Sequence, residues 1–165
     1  MRKSEPTCNQ IRKPRALGRY LEEFTVGELL VSPEREITQD DIQAFADLTE
    51  DHNPVHVDME FARQSVFGGP ISHGPMMIGI TFGLLSKIDL FDGTIIALKA
   101  VNWSFNAPIR PGDRVHVIAR VLEARPSKTA DDRGVVVLKI EIHNQADVVV
   151  QTGEVAGVMK KKPVA

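Results

Sequence analysis

Cysteine is nearly missing from this chain: Cys8 is the only one in 165 residues. A single thiol excludes a disulfide framework within the chain and fits a reducing compartment. No histidine lies close to Cys8 in sequence, so nothing marks it as a nucleophile. An excess of either charge is missing too. Twenty basic residues face 22 acidic ones, for a net charge of −2, which carries no signature of nucleic-acid binding. The N-terminus has no apolar stretch of the kind that forms a secretory signal. No apolar run reaches the roughly 18–20 residues that span a bilayer. The longest, residues 75–85, is short and is interrupted by Gly79 and Gly83. The expectation is a cytoplasmic protein with no membrane and no nucleic-acid partner. Neither an HExxH nor a paired-cysteine spacing is present, so no metal site is expected. A G-x-S-x-G elbow is absent as well, which removes the usual setting for a Ser–His–Asp triad.

What is present is an ordinary globular composition, 42% hydrophobic and 25% charged. The length suits one domain with a real core. Charge is uneven along it. Residues 1–15 hold Arg2, Lys3, Arg12, Lys13 and Arg15 against Glu5 alone, a balance of +4 that leaves −6 for the rest. We therefore expect a flexible basic arm over 1–18, a single domain over 19–160 and a short tail over 161–165.

Hydrophobic periodicity divides the domain. Residues 29–37 read as a strand weakened by Pro33. Thr38-Gln39-Asp40-Asp41 resembles a capping box, and its two acids suit a helix N-terminus. Ile42, Phe45, Ala46 and Thr49 then form one core-facing stripe. Asn53-Pro54 stops that helix. Asp58 can cap a short helix to about Ser65, with Phe61 and Ala62 inward. The next helix spans about 74–87, with Pro75 in its first turn. Its side chains are apolar all round, which predicts burial all round, with Gly79 and Gly83 packed closely against a sheet. From Thr94 onward the period is two. Ile95, Ala97, Lys99, Val101, Trp103 and Phe105 fall on one face, with Lys99 discordant. Four strands in an antiparallel meander are expected. The class is α+β, a curled sheet around one apolar helix, and a second copy of the chain or an adjoining helix would complete its cover.

Two short pieces carry chemistry. Asp51 and His56 stand five residues apart across the Asn53-Pro54 bend, and a carboxylate beside an imidazole can move protons near neutral pH. The same spacing also suits an Asx turn at Asp51 and a packed His56. Gly74, at the head of the apolar helix, offers unpaired backbone N–H groups to an acyl oxygen; it also suits a plain helix start. His52 is expected in solvent, and His116 and His143 read as structural.

The run Phe45-Ala46-Asp47-Leu48-Thr49-Glu50-Asp51-His52-Asn53-Pro54-Val55-His56-Val57-Asp58, followed by Gly69-Pro70-Ile71-Ser72-His73-Gly74 and later by Pro111-Gly112-Asp113, resembles the MaoC-like, (R)-specific enoyl-CoA hydratase family. The resemblance covers roughly residues 20–160. It implies a hot-dog fold, a homodimer or higher homo-oligomer, and an enoyl-CoA or other acyl-thioester substrate. It implies hydration of a trans-2-enoyl thioester to a 3-hydroxyacyl-CoA, or the reverse. Asp51 and His56 would hold the water, and the Gly74 N–H would bind the thioester oxygen. Asn53, His73, Pro75 and Phe82 would shape the substrate site. No metal or redox cofactor is implied, and CoA belongs to the substrate. Where short-chain hydratases of this type carry Ser-Gly-Leu-Leu, this chain has Phe82-Gly83-Leu84-Leu85, so an altered acyl pocket is expected. A hot-dog thioesterase or a non-catalytic acyl-CoA-binding protein are the alternatives.

Overall fold

The computed structural model describes residues 17–163. The basic residues 1–15 and Cys8 lie outside it. Gly18, expected within the arm over 1–18, is instead buried, and its N–H donates to the Asp92 carbonyl at 2.6 Å. At the other end the chain stays docked through Lys162, whose N–H donates to the Glu22 carboxylate at 3.0 Å.

The expected first strand is two: β1, Leu29–Val31, and β2, Arg35–Glu36. Proline has no N–H for the ladder, and Pro33 marks the break. Ser32 bridges it. Its N–H donates to the Val117 carbonyl and its hydroxyl accepts from the Val117 N–H, both at 2.9 Å. Helix α1, Gln39–Thr49, starts at a full capping box between Thr38 and Asp41. It ends at Glu50 in the left-handed conformation, φ 61°. Ile42 and Ala46 are buried as the stripe required, but Thr49 is exposed and returns its hydroxyl to the Phe45 carbonyl at 2.7 Å. The Asn53-Pro54 bend opens a further short helix, α2, Pro54–Val57, with Asn53 as N-cap and proline in its first turn. Helix α3, Met59–Gln64, is capped by Asp58. Its Ala62 is buried, whereas Phe61 is 53% exposed rather than inward.

Helix α4, Met76–Ser86, lies at the centre. Met77 and Leu85 are fully buried in it, each contributing roughly 1.5–3 kcal/mol by leaving water. It starts two residues later than expected, with Pro75 as N-cap and Gly74 in the preceding turn. Its burial is one-sided. Gly79 and Gly83 are exposed, with open space where a side chain would stand, so they do not pack on the sheet.

Four long strands follow: β3, Ile95–Phe105; β4, Arg114–Pro126; β5, Arg133–Asn144; β6, Val149–Lys160. The six-stranded sheet runs β1-β4-β5-β6-β3, with β2 also on β4. Strands β4, β5 and β6 form the meander. Strand β3 does not neighbour β4; it crosses to the far edge and pairs with β6. Register shifts between Ile95 and Ala97 and between Leu98 and Ala100 change the phase of β3. The inward set is therefore Ile95, Leu98, Val101, Trp103 and Phe105, and Lys99 leaves it. No helix among the described residues is long and apolar enough to cross a membrane.

Candidate active site

The site forms where α1, α2 and the turn before α4 meet. Asp51 follows the left-handed Glu50, which ends α1 and swings the chain toward α2. One Asp51 carboxylate oxygen, Oδ1, accepts the Asn53 N–H at 3.3 Å, and the Asn53 side chain accepts the Val55 N–H at 3.3 Å. The Asx turn is thus real, and it leaves Oδ2 free of that bond.

His56 stands on α2, partly buried. Its Nδ1 lies 2.8 Å from the Ile71 carbonyl. A carbonyl only accepts, so Nδ1 carries hydrogen and the neutral ring keeps its lone pair on Nε2. His73 is 1% exposed, and its Nε2 donates to the Asp51 carbonyl at 2.9 Å. Its Nδ1 is buried without a partner among the described residues. The two imidazoles lie against each other with centroids 3.8 Å apart and planes tilted by 33°, and Phe45 closes on His73 at 5.0 Å. Asp51 Oδ2 is 4.0 Å from His73 Nε2, and ligating atoms of Asp51, His56 and His73 all fall within 4.8 Å of one another.

A cavity of about 450 Å³ opens beside them, lined by His56, Ile71, Gly74, Pro75, Phe105 and Gln151 among others. No group among the described residues accepts the Gly74 N–H. A side chain at Gly74 could not form without moving Phe105, whose Cε1 would lie 2.8 Å from its Cβ. His56, Gly74 and Pro75 thus share one cavity. Asp51 reaches the imidazoles from outside that wall, with its side chain 56% exposed. Asn53 acts at the cap, and His73 stands behind His56 rather than on the cavity. Phe82 is elsewhere: it packs on Phe91, centroids 5.9 Å apart, over a separate apolar cleft with Leu98 and Val155. His52 is half exposed, as expected.

Sequence reasoning did not find Gln151, Trp103 or Phe105. Gln151 is 3% exposed and accepts the Trp103 indole N–H at 2.8 Å. The available signal was its phase, which it shares with the buried Val155 and Met159 on β6.

Two residue sets offer metal-ligand atoms. In Asp51–His56–His73, the nitrogen of His73 nearest the carboxylate already donates to a carbonyl, so a metal would have to displace that proton. In His116–His143–Asp147, His143 sits between two carboxylates. Its Nδ1 is 2.8 Å from Asp147 and its Nε2 3.5 Å from Glu141, so both ring nitrogens face carboxylates.

A sheet curled around one central helix is the hot-dog fold. The MaoC-like domain model matches residues 23–145, and the chain belongs to the MaoC-like dehydratase and hydratase family. It is 30% identical over 142 residues to the uncharacterised protein YdeM of Bacillus subtilis, covering 86% of this chain and 99% of that one. It is 32% identical over 114 residues to an (R)-specific enoyl-CoA hydratase of Aeromonas caviae, covering 69% of this chain and 80% of that protein. Among solved structures, the MaoC-like dehydratase of Rhodospirillum rubrum superposes with a TM-score of 0.78 at 33% identity, covering 89% of this chain and 100% of that one.

Proposed function

We propose that this protein is a hydro-lyase that adds water across the C2=C3 double bond of an enoyl thioester, giving an (R)-3-hydroxyacyl product, or removes it. One observation carries the reading: His56, a ring nitrogen of which lies within 4.8 Å of the Asp51 carboxylate, and Gly74, with its unclaimed N–H, belong to one cavity wall. Water held by Asp51 and His56 attacks C3. One member of the pair takes its proton as the O–C3 bond forms, and a proton from the pair goes to C2, so the pair ends as it began. The Gly74 N–H receives the thioester oxygen as negative charge develops on it. The thioester itself acidifies C2, so the reaction as written calls for no metal or redox cofactor. The Aeromonas caviae relative supports both the reaction and its stereochemistry.

A second copy of the chain completes the assembly in this reading. Strand β3 pairs only with β6 among the described residues, and Leu98, Val101 and Phe105 on its inward face are 47%, 39% and 55% exposed. The test of function is loss of the conjugated-thioester absorbance of crotonyl-CoA. The wild type should hydrate it, and Asp51→Asn and His56→Gln should each lose about 10²–10⁴-fold in kcat. Release of free CoA without a hydroxyacyl product would replace the hydratase with a thioesterase. Binding without turnover would leave an acyl-CoA-binding protein.

A further inference from the structure

Trp103 and Gln151 sit directly behind the Gly74 turn. Trp103 is on the edge strand β3, and its ring lies flat on Gly153, its cross-strand partner on β6. A Cβ at Gly153 would meet the ring at 2.1 Å, so only glycine leaves room for the indole there. The seated indole donates to Gln151 Oε1 at 2.8 Å. An indole N–H cannot accept. The oxygen of the Gln151 amide must therefore face Trp103, and its NH₂ group must face the other way. There it meets the Gly74 carbonyl at 3.5 Å, a contact at the long limit of hydrogen bonding. That carbonyl is already engaged by the Met77 N–H at 3.2 Å.

Gln151 thus presents two N–H donors from a buried position on the wall of the cavity that holds His56 and Gly74. One has only the long contact, and the other has no acceptor among the described residues. Buried donors are matched by acceptors in folded proteins. A group that fills the cavity can supply the missing acceptor. We propose that Gln151 is a substrate-binding residue. Its amide, locked in orientation by Trp103, donates to an acyl oxygen of the bound thioester on the Gly74 side of the cavity. This rests on the acyl-thioester reading above, and it adds a side-chain donor to the backbone one.

The test uses the full chain and butyryl-CoA, a saturated thioester that can bind but cannot be hydrated. The Gln151 side-chain amide is identified in the ¹H–¹⁵N spectrum by its loss in Gln151→Glu. On saturation with butyryl-CoA one Gln151 amide proton should move downfield. Kinetically, Gln151→Glu keeps an acceptor for Trp103 but replaces the donors with a carboxylate oxygen. Its kcat/KM on crotonyl-CoA should fall by about 10²-fold. Trp103→Phe frees the amide to flip and should lose less. The double variant should match Gln151→Glu alone, because the indole acts through that amide. A wild-type enzyme that hydrates crotonyl-CoA, with Gln151→Glu folded and within twofold of it, overturns the role of Gln151 and leaves the hydratase intact. If the wild type hydrates nothing yet binds butyryl-CoA, the hydratase reading falls and the amide shift alone decides Gln151. If the wild type neither hydrates crotonyl-CoA nor binds butyryl-CoA, both fall.

Discussion

His56 and His73 pack with their ring centroids 3.8 Å apart, and each holds a different backbone carbonyl, that of Ile71 for His56 and that of Asp51 for His73. The pair ties together three segments distant in sequence: the exit of α1, helix α2 and the turn before α4. His73→Phe keeps a ring against His56 but removes the bond to Asp51. Stability should fall by about 1 kcal/mol, read as a lower midpoint in urea. Turnover should fall more than stability does, because the Asp51 backbone loses its tether. A His73→Phe enzyme with wild-type kcat would show that the tether is not needed.

Gly74 and Phe105 make a coupled pair. A methyl group at Gly74 would stand 2.8 Å from Phe105 Cε1, and Phe105 ends the edge strand with 55% exposure, so its ring can swing away. Gly74→Ala should fold, with Phe105 displaced across the cavity and kcat/KM reduced by roughly tenfold or more. Adding Phe105→Ala should recover part of the loss, an interaction energy of about 0.5–3 kcal/mol in a double-mutant cycle. Strict additivity of the two substitutions would contradict the contact.

The parts legible in the sequence were those set by local rules. Thr38 and Asp41 announced α1 by cap chemistry, Asp58 announced α3, and alternation located β4, β5 and β6. The Asp51–His56 spacing was visible because a five-residue turn fixes it locally. Longer-range features were not legible. Strand β3 pairs with β6 rather than β4 because its connection crosses the end of the sheet, where Asn106 and Ala107 both donate to the Val150 carbonyl. Its two register shifts reassigned the inward face, which no strict period-two count can anticipate. The exposure of Gly79 and Gly83 follows from which side of α4 the sheet covers. Gln151 required knowing that β6 and β3 are neighbours.

The cap of α1 makes a pH-dependent contribution. Burial alone would raise the Asp41 carboxyl, but hydrogen bonds from the Thr38 backbone and hydroxyl, with the Arg35 guanidinium at 2.5 Å, outweigh it and hold the group below its ordinary value of 3.8. The folded state therefore prefers the ionised form. Its stabilisation is fully present above the unfolded value and is lost as pH falls through the lower folded one. Acid titration of stability should be shallower in Asp41→Asn than in the wild type below about pH 4. At neutral pH, Thr38→Ala should cost about 1 kcal/mol. Identical acid limbs for wild type and Asp41→Asn would remove Asp41 from the account.

Strand β3 carries the last prediction. It is 11 residues long, its far side is unpaired among the described residues, and it shows Leu98 and Val101 to solvent on the face that the sheet turns toward α4. A long apolar edge strand is a template for another strand. A second copy, paired edge to edge, would cover both features at once and would also reach Phe105 at the cavity rim. Sedimentation of the wild type at micromolar concentration should give twice the chain mass. Leu98→Asp combined with Val101→Asp places like charges at the centre of that seam and should shift the protein to monomer. Crotonyl-CoA hydration should fall with the dimer fraction and return as protein concentration rises. A wild type that sediments as a monomer at full activity would show that the open edge has another use.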